Sequence, residues 1–261
     1  MRDKHVKDLV SAAEWDIRVN LAACCRALVH FKIEDFCYNH LFARVPEDNN
    51  VLVPPIGISY DEMTASDFIK VDFAGLIIFN PHSDMLYNKG ILQHLPVLER
   101  RPDVNCLIHS HAPGGTAVSM LECGLLPYTQ SAMRFKDIPY FDYSGNVIGT
   151  TDVDHFMNQL GNSEAIILRN HGVLVVNIGI GEAFNTLFFL EQACNWQLKA
   201  QACNTPLFIP ANSAVEKVYN FFDPAKRAKF PGIPSDAIYM GTREWPAVIR
   251  LIDRLYPGFR E

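Results

Sequence analysis

Residues 104–115 read Val104-Asn105-Cys106-Leu107-Ile108-His109-Ser110-His111-Ala112-Pro113-Gly114-Gly115. Val104, Cys106, Leu107 and Ile108 form a short apolar run that favours an extended backbone, and Ala112-Pro113-Gly114-Gly115 breaks it. Residues two apart on a strand point to the same side. His109 and His111 therefore present two imidazoles side by side at a strand end. Two ligands do not make a site, and a histidine at a strand end is commonly a hydrogen-bonded structural residue. A third candidate is His171, within Ala165-Ile166-Ile167-Leu168-Arg169-Asn170-His171-Gly172-Val173-Leu174-Val175-Val176. Here again an apolar run is interrupted by a polar, glycine-containing step that carries a histidine. Three protein ligands with an open position are the arrangement of catalytic metal sites, so His109, His111 and His171 are the candidate ligands.

The surrounding composition narrows the class. The chain has 261 residues, 49% hydrophobic and 20% charged, which fits a substantial core in one large domain or conceivably two. A formal net charge of −6 and the lack of a Lys/Arg run argue against nucleic acid. The first residues are charged and mixed in sign with no apolar core behind them, and no stretch reaches the roughly 18 apolar residues of a membrane span. Seven cysteines, an odd number without C-x-x-C spacing, read as buried thiols of a reducing compartment. The expectation is a cytoplasmic protein with no membrane or nucleic-acid partner.

Along the chain, Leu9, Ala13, Ile17, Leu21, Cys24 and Leu28 recur at helical spacing and predict a helix over residues 8–31. Residues 36–46 and 50–55 flank Glu47-Asp48-Asn49-Asn50 and predict a hairpin. Residues 60–68 predict a short helix, 69–73 and 76–79 strands, and 90–101 a helix disturbed by Pro96. A helix over 116–123, a strand near 140–143 and a helix over 151–160 with Thr151 as its cap follow. Residues 181–202 carry the longest helical pattern, and a last helix spans 246–256. We find no internal repeat and no linker. The reading is one α/β unit over residues 1–261 with a mixed or largely antiparallel sheet, residues 204–261 being a C-terminal extension.

Four blocks, Y38-N-H-L-F-A-R-V-P46, I56-G-I-S-Y-D-E-M-T-A-S-D67, R101-P-D-V-N-C-L-I-H-S-H111 and I167-L-R-N-H-G-V-L174 followed by G181-E-A-F-N185, occur in order. Over roughly residues 10 to 203 the chain resembles the class II aldolase/adducin head-domain family. The resemblance implies a three-layer αβα fold with a central mixed sheet between helices, usually assembled as a homotetramer with active sites near subunit contacts. It implies a divalent ion, zinc first and manganese, iron or cobalt as alternatives, on His109, His111 and His171. Family aldolases use that ion as a Lewis acid beside an acid/base carboxylate.

The chain departs from the aldolase pattern at Asn88-Lys89-Gly90. The family glutamate falls at Gly90, the hydroxyls that bind phosphate beside it are missing, and Phe42 stands where the N-x-S element after Asn39 expects Ser. A dianionic phosphate needs several donors, so a standard sugar-phosphate aldolase is disfavoured. His94 coincides with a histidine of bacterial adducin-like members that lack the glutamate. With an ordinary pKa of roughly 6.5 it suits proton transfer; a surface or interface histidine is the competing reading.

The resemblance implies a metal-dependent lyase that decarboxylates or cleaves a C–C bond of a small carboxylated or hydroxylated substrate. Decarboxylation needs no carboxylate to remove a carbon-bound proton. Asn39, Lys89 and Arg134 are the candidate substrate contacts, with Arg169 as a further cation and Tyr140 and Tyr143 as further proton donors. For the cations the alternative is a structural salt bridge, and for the tyrosines a place in the core. Two other functions stand beside the lyase: a non-enzymatic adducin-like assembly module, and an iron-dependent oxygenase on the same three histidines.

Overall fold

The structure, a computed structural model, describes residues 5–82, 84–142 and 150–261. The elements run α1 (Ala12–His30), β1 (His40–Val45), β2 (Asn50–Val53), β3 (Ile69–Val71), β4 (Ile77–Phe79), α2 (Leu95–Arg100), β5 (Cys106–Ser110), α3 (Pro113–Ser119) and α4 (Gln130–Met133). They continue with β6 (Tyr140–Phe141), α5 (Thr150–Leu160), β7 (Ala165–Leu168), β8 (Gly172–Asn177), α6 (Ile180–Ala202), α7 (Asn212–Phe222), α8 (Pro224–Arg227) and α9 (Trp245–Leu255). The strands form one sheet in the order β4-β3-β2-β1-β5-β8-β7-β6. Its pairs are antiparallel except β6 with β7, which are parallel. The mixed sheet is as the sequence predicts.

Period-two alternation splits the buried strand residues between two cores. Leu41, Ala43 and Val45, Cys106 and Ile108, Ala165 and Ile167, and Val173 and Val175 face α1, α3 and α6. Phe42, Leu107, Ile166, Leu168, Leu174 and Val176 face α2 and α5, against Leu95, Leu98, Phe156 and Leu160. A sheet covered on both faces reads as continuous apolar runs, which is why these strands show no polar side. The result is three layers, helices–sheet–helices.

Local differences from the sequence reading have identifiable causes. Residues 60–68 form turns instead of a helix, because Asp67 accepts bonds from the backbone N–H and the hydroxyl of Thr64, a side-chain alternative to helical pairing. Pro96 does not kink a helix; it sits in the first turn of α2, after a 3-10 turn over Lys89–Gln93, where a missing N–H costs nothing. The helix predicted over 116–123 is α3, which begins earlier, at Pro113. Cys123 and Cys203 are exposed, against the expectation of buried thiols, whereas Cys24, Cys25, Cys106 and Cys194 are buried. Tyr143 lies outside the described residues, as does the side chain of Thr151.

Residues 204–261 pack back on this body. Phe259 is fully buried, its carbonyl accepts from Ala65 N–H at 2.9 Å, and Trp245 Nε1 donates to Asn20 Oδ1 at 2.6 Å. No helix among the described residues is long and apolar enough to cross a membrane.

The central strand gives a direct test of this packing. Leu107 is fully buried in the α2/α5 core, so Leu107→Ala is expected to cost about 2–5 kcal/mol. It should appear as a lower urea midpoint at unchanged slope; a loss under about 1 kcal/mol would contradict the packing.

Candidate metal centre

His109 lies in β5 and His111 just beyond its end, both on the α2/α5 side, while Ser110 between them points to the other side. There Ser110 Oγ donates to Ile33 O at 2.9 Å and accepts from Ala112 N–H at 3.1 Å, fixing the course of the chain through both histidines. His171 comes from the tight β7–β8 turn. Asn170 takes a left-handed φ of 58° there, a conformation that asparagine tolerates. Leu168 then pairs with Gly172. A Cβ on Gly172 would lie 2.5 Å from Ser110 O and 3.2 Å from His111 Cδ2, so glycine lets the turn close onto the end of β5.

The outcome is a cluster of three Nε2 atoms. His171 Nε2 stands 3.2 Å from His109 Nε2 and 2.9 Å from His111 Nε2. The other ring nitrogens are tethered: His109 Nδ1 donates to Val173 O at 3.0 Å, and His111 Nδ1 to Asp35 Oδ2 at 2.9 Å. Each tether places the proton on Nδ1 and leaves the Nε2 lone pair aimed at the shared point. These two lone pairs converge with His171 Nε2 on one point, and a cation or a proton on His171 must lie between them. Carbonyl and carboxylate tethers on the far nitrogen are what metal-ligating histidines use. The donor set fits a divalent ion.

Two more imidazoles extend the cluster. In the β1–β5 register His40 is directly opposite His109, and their ring centroids are 5.4 Å apart; His94 lies 5.0 Å from His109 and 5.2 Å from His40. Burial, reinforced by the neighbouring imidazoles, pushes His40 down to about 4 and His94 and His109 well below the ordinary histidine range, and it also lowers His171. These rings are neutral near pH 7, the state that ligation requires. His40, His94 and His109 could also bring nitrogen atoms together for an ion, although Asn88 Nδ2 already lies 3.3 Å from His40 Nε2.

A model of the Class II Aldolase and Adducin N-terminal domain matches residues 19–198. The chain belongs to this family. It is 33% identical over 259 residues, 98% of its length, to a Pseudomonas aeruginosa protein provisionally named as a class 2 aldolase, covering 96% of that protein. It is 32% identical to mouse alpha-adducin over 94% of its own length but only 35% of the adducin's. Its structure matches that of an aldolase II superfamily protein from Pseudomonas syringae with a TM-score of 0.88 at 33% identity, over 99% of this chain and all of that one.

Against the class II aldolase pattern, the lost glutamate acquires a physical reason. A Cβ on Gly90 would lie 3.2 Å from His40 Cε1 and 3.1 Å from Asn88 Oδ1, so a side chain at 90 would press on His40 and Asn88. Phe42, at the expected serine, is fully buried in the α2/α5 core.

The structure does not bring all the predicted substrate contacts to the three histidines. Arg134 stands apart from them within the chain. Its guanidinium is held by both oxygens of Glu164, by Asn185 Oδ1 and by Thr186 Oγ1 at 2.7–2.9 Å. Glu164 also accepts from Asn177 at the end of β8, so the six residues of β8, about 3.3 Å each, separate this network from His171. Arg134 instead lines a cavity of about 510 Å³ with Tyr219 and Phe222. Asn39 is buried with its amide turned to Ile33 O at 3.2 Å. Lys89 is exposed, with Nζ on the Tyr87 hydroxyl at 2.8 Å, next to Gly90. Arg169 stacks on Tyr140, whose hydroxyl accepts from Leu125 N–H. Asp35 escaped the sequence reading, since its bond to His111 spans 76 residues and no local pattern announces it.

Gly172→Ala tests the approach of the turn to β5. It is expected to cost about 1–3 kcal/mol in chemical denaturation and to move the imidazole NMR signals of His111 and His171 while leaving exposed His5 unchanged. Unmoved signals would contradict the contact.

Proposed function

We propose that the chain is a divalent-metal-dependent lyase, acting by decarboxylation or aldol-type C–C cleavage on a small carboxylated or hydroxylated substrate. The observation that carries this reading is the set of three Nε2 atoms, two of them on rings tethered from behind, His109 by Val173 O and His111 by Asp35. Family membership supports it, because class II aldolases use a divalent metal, commonly zinc. In this reading His109, His111 and His171 hold the ion, and residues 1–261 act as one unit with 204–261 as its extension.

When bound, the ion supplies Lewis acidity toward a substrate oxygen. The chain's own residues orient and exclude. Buried His40 and His94 line the side where the family carboxylate is missing and keep it dry. His94, neutral and beside His109, is the proposed proton carrier. Lys89, exposed next to Gly90, is the proposed cation that draws in a substrate carboxylate. Decarboxylation is the favoured reaction, since it asks for no base at residue 90.

A second reading, an adducin-like assembly module, is favoured by the similarity to alpha-adducin. Elemental analysis of protein never exposed to chelator separates the two. About one zinc, manganese or iron per chain is expected, with loss of that metal and retained far-UV dichroism in the His109→Ala/His111→Ala variant. Metal-free protein that takes up none on titration would overturn the lyase. Once a carboxylic acid substrate is found by screening, His94→Gln is expected to lower kcat at least tenfold while keeping the metal. An unchanged kcat would remove His94 from the chemistry.

A further inference from the structure

We infer that the buried carboxylate of Glu191, on α6, is a positioning residue that sets the geometry of the three-histidine centre through the first turn of α3. The inference rests on the metal-binding reading above. Glu191 is 4% exposed. Its Oε1 accepts from Gly114 N–H and its Oε2 from Gly115 N–H, each at 2.7 Å, and Asn195 Nδ2 donates to Oε1 at 2.7 Å. Bonds to an ionised acceptor are roughly twice as strong as neutral ones. The fit is also tight: a Cβ on Gly114 would lie 2.9 Å from Glu191 Oε1 and 2.8 Å from Asn195 Nδ2. The Pro113-Gly114-Gly115 step, which reads in sequence as a break, is therefore a socket for one carboxylate.

The socket touches each of the three histidines through α3. Gly114 is three residues beyond His111, with only Ala112 and Pro113 between. Gly115 packs on Val173, a Cβ there lying 2.9 Å from Val173 Cγ1, and Val173 O is the acceptor for His109 Nδ1. Thr116 Oγ1 reaches His171 O at 3.5 Å, and Ser119 O accepts from Asn170 N–H at 3.4 Å, so the turn that carries His171 rests on the same helix. Moving the start of α3 moves all three supports together. A carboxylate that served only to cap a helix would affect stability and leave the histidines in place.

The test uses the full chain freed of metal, titrated with Zn(II) against a chromogenic chelator and with Co(II) followed by visible absorption. Glu191→Gln keeps the side-chain shape but turns an NH2 toward one glycine N–H. It is expected to keep the far-UV dichroism of the parent, to bind Zn(II) about 10–100-fold more weakly and to show a shifted Co(II) spectrum. Phe259→Leu, fully buried in the C-terminal segment, controls for destabilisation and is expected to keep parental affinity. Parental affinity and spectrum in Glu191→Gln would overturn the inference. If Glu191→Gln does not fold, Asn195→Ala removes one donor to the same carboxylate; it should weaken Zn(II) severalfold, and unchanged affinity would overturn the inference. Parental protein that binds no metal would bring down the metal-binding reading and this inference with it, whereas parental binding with an unaffected Glu191→Gln removes this inference alone.

Discussion

Three imidazole Nε2 atoms meet at one point, His171 Nε2 standing 3.2 Å from that of His109 and 2.9 Å from that of His111, and a cation or a shared proton is needed to hold them there. The rest of the structure is arranged to enforce that meeting. His109 cannot turn away because its far nitrogen is bonded across the β5–β8 ladder to Val173 O, and His111 is held by Asp35 from the loop after α1. Both tethers depend on strand register. A one-residue slip of β5 would carry His109 to the face of α1 and α6, where Cys106 and Ile108 now point. The apolar alternation that packs both cores thus also aims the histidines.

The same register explains the altered chemistry beside the cluster. The resemblance to class II aldolases implies a carboxylate where this chain has Gly90. His40 pairs directly with His109, and its ring lies close over Gly90, so a side chain there would have to push it aside by a few tenths of an ångström. The low proton affinity of His40 and His94 follows from their burial. In the reading proposed here, the change moves the chain away from proton abstraction at carbon.

Several charged and aromatic residues that stand out in the sequence serve the architecture. Arg134 draws attention because it lies between apolar residues, but that pattern reports burial, and a buried guanidinium must find acceptors. It finds them in Glu164, Asn185 and Thr186, at the open end of the β7–β8 hairpin. Arg169 and Tyr140 likewise satisfy each other and the loop after α3. Glu191 is the converse case. It sits unremarked in the longest helix and holds the turn next to the histidines.

By itself the sequence determined an α/β unit with a mixed or largely antiparallel sheet, the long helices α1 and α6, the hairpin around Glu47–Asn50 and the pairing of His109 with His111. These depend on period, turn chemistry and apolar runs, which act over a few residues. It also marked His171, through the polar, glycine-containing break in an apolar run, and the family blocks implied a glutamate where Gly90 stands. Only the tertiary structure decided that Asp35 and Val173 O orient the rings, that His40 lies close over Gly90, that Arg134 lies elsewhere, and that α3 starts on Glu191. Each of those is a contact between residues 30 to 77 positions or more apart in the chain. Strand register and the packing of layers, which no local pattern encodes, bring them together.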